Sequence, residues 1–158
     1  MKSFNEYRGT NGYPPQNNVE LIENVGYETD QVEIGSTMYT LEVADNYNLI
    51  SNGLSGRQII PQKTGMLFVM PKQGIQEFWM KGCNVNMDII FINEDNEIVN
   101  LHRMVIERDK MLSETDMQYE KTLKKYSSEM PARYAIEIPS GDITRLGLRV
   151  GDMINIER

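Results

Sequence analysis

Five residues carry side chains that could together form a ligand site: Arg57, Phe78, Trp79, Lys81 and Asp88. The two aromatic residues offer flat apolar faces on which a sugar ring or a peptide could stack, and the three charged residues offer hydrogen bonds around them. We call residues 78–81 the Trp79 corner. The alternative is that Trp79 plugs one end of the core and Asp88 bonds to turn backbone, because so dense an apolar stretch usually forms core.

Two further pairs of residues could support catalysis, and neither pattern is specific. Asp88 and Glu137 could act as acid and base, as two carboxylates do in glycoside hydrolysis, and Cys83 with His102 could act as nucleophile and base. Any chain with one cysteine and one histidine permits the second hypothesis, so the pair by itself is weak support for catalysis. Arg57 has a structural interpretation too, as a buried cation paired with Asp88 or Glu137. We assign no catalytic residue and favour a non-enzymatic function.

Composition excludes several classes of partner and cofactor. The chain of 158 residues has a formal net charge of −7, so it lacks the basic surface that nucleic acid or an anionic membrane needs. A single cysteine excludes an internal disulfide, and one histidine leaves too few soft ligands for a zinc site, so we expect neither metal nor cofactor. No apolar run could span a membrane, and no signal peptide is found. We expect the protein to be located in the cytoplasm, or in a virion assembled there.

The elements that must position these residues are mostly predicted strands. The apolar run Met66–Met70 is typical of a strand buried on both faces. The turn formers Asn93–Asn96 predict a hairpin between the strands Asp88–Ile92 and Glu97–Val105. Alternation of apolar and polar residues predicts the remaining strands, over residues 19–34, Tyr39–Asp45, Tyr134–Ile138 and Met153–Glu157.

Two helices interrupt this pattern. A long amphipathic helix is predicted over Ser113–Met130, because four apolar residues recur there at helical spacing. They are Tyr119, Leu123, Tyr126 and Met130. A short helix is predicted from Ser140 to Gly147. Residues 19–158 are therefore expected to form one mainly β domain, a sandwich or small barrel with a short C-terminal helix and one inserted helix.

Residues 1–18 precede this domain and have a different character. They are polar, contain two glycines and two prolines, and show neither helical nor strand periodicity. The pattern predicts an extended arm. Tyr7 and Tyr13 are its candidate anchors to a protein partner or a neighbouring subunit.

Seven short blocks, in this order, resemble the family called domain of unknown function 192. They are Leu41–Asp45, Gly53–Arg57, Gly65–Phe68, Phe78–Lys81, Met87–Phe91, Ala132–Glu137 and Gly147–Asp152. The resemblance covers about residues 37–157 and implies a compact, mostly β domain without an established activity. The chain departs from the family pattern at Gly82–Cys83 and Asn86, and it carries a longer insertion between Ile106 and Glu129.

The opening Met1–Phe4 and the Asn-rich, acidic composition are similar to small proteins of tailed phages, where this family also occurs. We therefore predict a non-enzymatic binding or assembly module, such as a minor structural or decorating protein of a phage particle, whose arm contacts a neighbouring subunit. The alternative is a carbohydrate-binding or hydrolytic domain that uses the Trp79 corner with Arg57, Lys81 and Asp88.

Overall fold

A computed structural model describes residues 27–158 of the chain. Eight strands and three short helices follow one another in that range. They are β1 (Thr29–Ile34), β2 (Thr37–Ala44), α1 (Tyr47–Asn52), β3 (Thr64–Gly74), β4 (Glu77–Phe78), β5 (Met87–Ile92), β6 (Ile98–Met104), α2 (Asp116–Glu120), β7 (Tyr126–Ser127), β8 (Ala132–Pro139) and α3 (Asp142–Leu146). The helices have five or six residues each, too few to cross a membrane.

Six of the strands form one mixed sheet in the order β1-β2-β3-β8-β5-β6, and β4 pairs with β7 in a second, two-stranded sheet. All neighbours in the large sheet are antiparallel except β2 and β3, which are parallel. The predicted mainly β class is confirmed. Within the described residues the large sheet is open, because β1 and β6 lie at its two ends and do not pair with each other.

The central strands of the large sheet are buried on both faces. Along β3, Leu67 belongs to one hydrophobic core and Met66 and Phe68 belong to the other. Along β5 every residue is buried, and successive side chains again alternate between the two cores. This follows from the period of two in a strand, which sends neighbouring side chains to opposite faces. The prediction of a doubly buried strand at Met66–Met70 is confirmed.

Several other local predictions are confirmed as well. β5 and β6 form the predicted hairpin, and the side chain of Asn93 holds its turn by accepting the amides of Asp95 and Glu97, both at 3.0 Å. The predicted strands at Tyr39–Asp45 and Tyr134–Ile138 correspond to β2 and β8, and α3 ends at Gly147 in the left-handed conformation that favours glycine.

The inserted helix is present, but its predicted extent over Ser113–Met130 is wrong. It starts at a capping box formed by Thr115 and Gln118, and it ends after Glu120. Leu123 packs on Trp79, while Tyr126 pairs with Phe78 across β4 and β7. These tertiary contacts place buried residues at intervals that imitate a helix.

The predicted last strand, Met153–Glu157, is also wrong. Met153 makes an isolated bridge to Glu97, and Ile154 and Ile156 bury their side chains while their amides bond to Asn96. Residues 153–157 thus run along the turn of the β5–β6 hairpin without forming a strand of the sheet. Of the strand predicted over residues 19–34, β1 is found, whereas residues 19–26 and the arm, with Tyr7 and Tyr13, lie outside the described residues.

Candidate functional site

Arg57 lies on the wall of a pocket of about 200 Å³. The pocket is enclosed by the polar face of β1 and β2, the start of β3 and the segment that follows α1. It is lined by Thr29, Thr40, Glu42, Leu54, Arg57, Ile59, Ile60, Pro61, Thr64 and Gly65. We call it the Arg57 pocket.

A turn after α1 places Arg57 on this wall. The side chain of Asn46 caps the start of α1, and Gly53 ends the helix with a positive φ of 49°. The amide of Gly56 then donates to the carbonyl of Gly82, at 3.1 Å. Because Gly82 directly follows the Trp79 corner, the turn that carries Arg57 is fixed against that corner.

Arg57 pairs with Glu42 through two parallel hydrogen bonds. Nη1 donates to Oε1 at 3.1 Å, and Nη2 donates to Oε2 at 2.5 Å. The exposed fractions of the two side chains are 35% and 18%, so the pair is partly withdrawn from water. Such a fork geometry is the strong form of the ion pair. The predicted partners Asp88 and Glu137 are thus wrong, since Glu42 takes their place.

Tyr27 adds a hydroxyl group to the electrostatics of this pair. Burial raises the pKa of the Tyr27 hydroxyl, while the charge of Arg57 lowers it and that of Glu42 raises it. The hydroxyl is therefore protonated at neutral pH. It interacts with both members of the ion pair.

Gly65 lines the pocket at the close contact between β3 and β8. A Cβ atom at this position would lie 2.1 Å from the carbonyl oxygen of Glu137. Since that atom belongs to the backbone of a central strand, it cannot move aside. Glycine at position 65 therefore allows β3 and β8 to approach closely at the wall of the pocket.

In the Trp79 corner, the indole is buried, with 5% of its surface exposed, in a cluster with Tyr119 and Leu123. The Lys125 ammonium lies over its ring, 3.2 Å from the centroid, and that of Lys81 lies 5.6 Å away. Burial lowers the pKa of Lys125. Lys81 also forms an ion pair with Glu120, so helix α2 is tied to the corner. The structure brings Trp79 and Lys81 together and covers the indole with the inserted segment.

Phe78 and Asp88 point to other parts of the core. Phe78 makes edge contacts with Phe68 and Phe91, with ring centroids 5.0 and 5.7 Å apart. Oδ2 of the buried Asp88 accepts the amides of Gly141 and Ile143 at 3.0 and 2.9 Å, which satisfies free N–H groups at the start of α3. The five predicted ligand residues thus lie in different environments, and a shared ligand site for them remains a prediction.

Sequence reasoning missed Glu42 and Tyr27. Glu42 stands between Leu41 and Val43 on the polar side of an alternating strand, a position typical of a solvated residue. Its low exposure comes from the packing of the segment that follows α1. The signal that could have indicated it is the need of a partly buried arginine for a nearby carboxylate.

His102 is engaged with the second sheet. Its Nε2 lies 2.7 Å from the carbonyl oxygen of Ser127, so this nitrogen carries a hydrogen and donates it. The imidazole also makes an edge contact with Tyr126. Cys83 is partly buried at the margin of a core, with its Sγ 4.0 Å from the carbonyl of Lys81. Across residues 27–158, no three His, Cys, Asp or Glu side chains are grouped so as to hold a metal ion.

Comparison with known proteins gives a family and a fold. The sequence matches the family model DUF192, described as "Uncharacterized ACR", over residues 30–156. No protein with a curated description matches this chain.

Two solved crystal structures are similar to it. A Sinorhizobium meliloti 1021 protein, provisionally named a transcription regulator, is 24% identical with a TM-score of 0.68; the match covers 83% of this chain and 95% of the other. A Novosphingobium aromaticivorans DSM 12444 protein of unknown function is 21% identical with a TM-score of 0.67; the match covers 85% of this chain and 89% of the other. At these identities the likeness shows the fold alone.

Proposed function

The chain belongs to the DUF192 family, and from that premise we propose that it is a non-enzymatic binding and assembly module that contacts a neighbouring subunit. The observation that carries this proposal is an exposed apolar surface on the segment between β6 and α2. We call residues 105–117 the apolar ridge. Exposed apolar surface of this kind is typical of protein–protein contact sites.

The apolar ridge presents five large apolar side chains to solvent. They are Val105, Ile106, Met111, Leu112 and Met117. Leu112 is fully exposed, at 107% of its reference area. Tyr119 of α2, next to the ridge in the chain, belongs to a small buried cluster with Trp79 and Leu123. The ridge thus adjoins a packed cluster and exposes its own apolar side chains.

Polar contacts hold the ridge in shape. Arg108 donates two hydrogen bonds to Glu114, at 2.8 and 2.6 Å, and Glu114 accepts the amide of Met111 at 2.9 Å. The hydroxyl of Tyr119 donates to the carbonyl of Arg108 at 2.7 Å. A surface that is ordered before binding loses less conformational entropy when it binds.

The non-enzymatic part of the proposal is supported by what the candidate catalytic groups do. Asp88 is occupied by two backbone amides, and His102 donates its Nε2 hydrogen to a backbone carbonyl. Each of these contacts holds one part of the fold to another. Such positions suit structural groups better than groups that exchange protons with a substrate.

Residues 1–18 supply a second contact in this proposal, with Tyr7 and Tyr13 as anchors. Two weak contacts on one chain bind more tightly than either alone, because the first raises the effective concentration of the second. The opening residues and acidic composition extend the proposal to a minor structural or decorating protein of a phage particle, assembled in the cytoplasm.

A sugar or peptide site at the Trp79 corner is less well supported. A stacked ligand needs an open aromatic face, and the Trp79 ring is covered by the Lys125 ammonium and by its cluster with Tyr119 and Leu123. Binding there would require the inserted segment to move aside.

A matched pair of methionine variants tests the role of the apolar ridge. Because most soluble oligomers are built from identical chains, the partner tested first is a second copy of this chain. Met111→Thr should weaken self-association roughly 10-fold or more, since it removes apolar area that the contact buries. Met38→Thr is the control, because Met38 is equally exposed, at 52% against 53%, on β2.

Sedimentation velocity over a range of concentrations measures this effect. We expect the full-length chain and Met38→Thr to associate alike, and Met111→Thr to associate only at higher concentration. A full-length chain that stays monomeric throughout, or equal weakening by both substitutions, would contradict self-assembly through the ridge.

A further inference from the structure

We propose that the Arg57 pocket is a binding site for a small neutral polyol, such as a single sugar ring. The pocket lies apart from the apolar ridge and uses different residues, so this inference does not depend on the assembly proposal. It follows from the size, the charge and the hydrogen-bonding groups of the pocket.

The size of the pocket limits the ligand. Its volume is about 200 Å³, below the roughly 300 Å³ at which pockets for drug-sized molecules begin. One ring with its hydroxyl groups fits such a space, and an oligosaccharide or a nucleotide does not. Leu54, Ile60 and Pro61 supply an apolar side, which suits the C–H face of a ring.

The charge of the pocket favours a neutral ligand. Arg57 and Glu42 neutralise each other through their paired hydrogen bonds. A free anion would meet the Glu42 carboxylate beside the guanidinium, and the chain as a whole carries a net charge of −7. A cation would in turn meet Arg57. Uncharged ligands avoid both repulsions.

The pocket offers donors and acceptors side by side. The guanidinium of Arg57 has more N–H groups than the two that Glu42 accepts, and the carboxylate has lone pairs beyond the two that Arg57 uses. Oγ1 of Thr40 accepts from Gln31 at 2.8 Å, so its own hydrogen can be donated. The Thr64 hydroxyl donates to the Pro61 carbonyl at 2.7 Å, so its oxygen can accept.

This mixture matches the chemistry of adjacent hydroxyl groups. Every hydroxyl of a polyol both donates and accepts, and each needs partners of both kinds when water is removed. A carboxylate only accepts, and phosphate at neutral pH is mainly an acceptor, so either would leave free lone pairs of Glu42 with few or no donors. The geometry therefore selects a polyol over an anion of the same size.

Titration of the ¹⁵N-labelled full-length chain, followed by amide chemical shifts, tests the proposal. The probes are D-glucose, D-ribose and myo-inositol, with inorganic phosphate and acetate as anions of similar or smaller size. We expect at least one polyol to give saturable shifts at Arg57, Thr64 and Gly65, with a Kd on the order of 1 mM. The anions should give weaker shifts or none.

Three substitutions show whether the pocket itself binds. Glu42→Gln and Thr64→Val should each raise the Kd about tenfold, because one polar partner is lost at nearly constant side-chain volume. Arg145→Lys is the matched control, since it disrupts another arginine–carboxylate ion pair, with Asp142, outside the pocket. Amide shifts far from the pocket verify that each variant is folded, and Thr64→Val carries the test if Glu42→Gln fails to fold.

Three results would overturn the polyol site. The first is the lack of saturable shifts with all three polyols up to on the order of 50 mM. The second is tighter binding of phosphate or acetate than of any polyol, and the third is that the pocket variants bind as well as Arg145→Lys. None of these results bears on the mass of the protein in solution, so this proposal and the assembly proposal fail independently.

Discussion

Three buried or partly buried carboxylates each hold separate parts of this chain together. Asp88 on β5 binds the first amides of α3, and Glu42 on β2 binds Arg57 from the segment after α1. Asp142 accepts the hydroxyl hydrogen of the buried Tyr39 at 2.6 Å. In each case the carboxylate joins residues that are far apart in the sequence.

Removal of the Asp88 carboxylate should be costly. Asp88→Ala leaves two partly buried amides without their acceptor, and hydrogen bonds to a charged group contribute about 1.5–3 kcal/mol each. We expect the free energy of unfolding, measured in urea, to fall by roughly 2–4 kcal/mol, and α3 to lose its amide protection first.

Asp152→Ala is the control for this measurement. Asp152 also accepts a backbone amide, that of Arg149 at 2.8 Å, but it is exposed to solvent. Water can replace its hydrogen bond, so the loss should stay below about 1 kcal/mol. Equal losses in the two variants would show that Asp88 does not hold α3 as described.

The residues of the sites were only partly predictable. Arg57, Trp79, Lys81 and Asp88 stand out by type, but their roles depend on partners that sequence spacing does not reveal. Asp88 meets α3 only because β5 and β8 are paired. Trp79 is covered because the insertion folds back over it.

At the scale of elements, the local sequence pattern was sufficient to predict a strand wherever that strand ends at a tight turn. β2 and β8 alternate, and the apolar run of β5 leads into the turn formers of the β5–β6 hairpin. The inserted segment was different, because Leu123 and Tyr126 are buried by Trp79 and by the pairing of β7 with β4. Contacts of this range reproduce helical spacing by coincidence.

The apolar ridge should loosen in acid. The hydrogen bonds from Arg108 and then from the Met111 amide lower the pKa of Glu114 from its ordinary value of 4.5 to about 2. A carboxylate with a lowered pKa contributes its full stabilisation above pH 4.5, and this contribution is lost as the pH falls through about 2. The ridge is therefore most ordered above that window.

The Met111 amide reports on this change. Its protection against proton exchange, relative to an unstructured chain at the same pH, should fall and its chemical shift should move as the pH falls from 4.5 towards 2, while the amides of β8 change less. In Glu114→Ala, which removes the acceptor, the same amide should have low protection at every pH. A Met111 amide that is indifferent to both pH and this substitution would mean that Glu114 does not order the ridge.

At the scale of the whole molecule, Arg158 ties the C-terminal segment to β1, the strand at one end of the large sheet. Arg158 donates to Asp30 at 2.6 Å and to Glu28 at 3.0 Å, while its carbonyl accepts the hydroxyl of Tyr134 at 2.9 Å. The hydrogen bond from Arg158 lowers the pKa of Asp30. Arg158 thus anchors the start of the described chain.

In the assembly proposal, stability and association use different parts of the chain. Its two cores and the Arg158 contacts lie within residues 27–158, whereas the proposed contacts with a neighbouring subunit use residues 1–18 and the apolar ridge. Loss of residues 1–18 should leave the fold intact and weaken association.

The most direct test of this account is the mass in solution of the full-length chain and of a variant that lacks residues 1–18, each with its thermal melting curve. We predict a defined oligomer for the full-length chain, fewer subunits per particle for the shortened one, and nearly equal Tm values when both are compared as monomers at low concentration. The same number of subunits per particle for both chains, or a large loss of Tm on shortening, would contradict it.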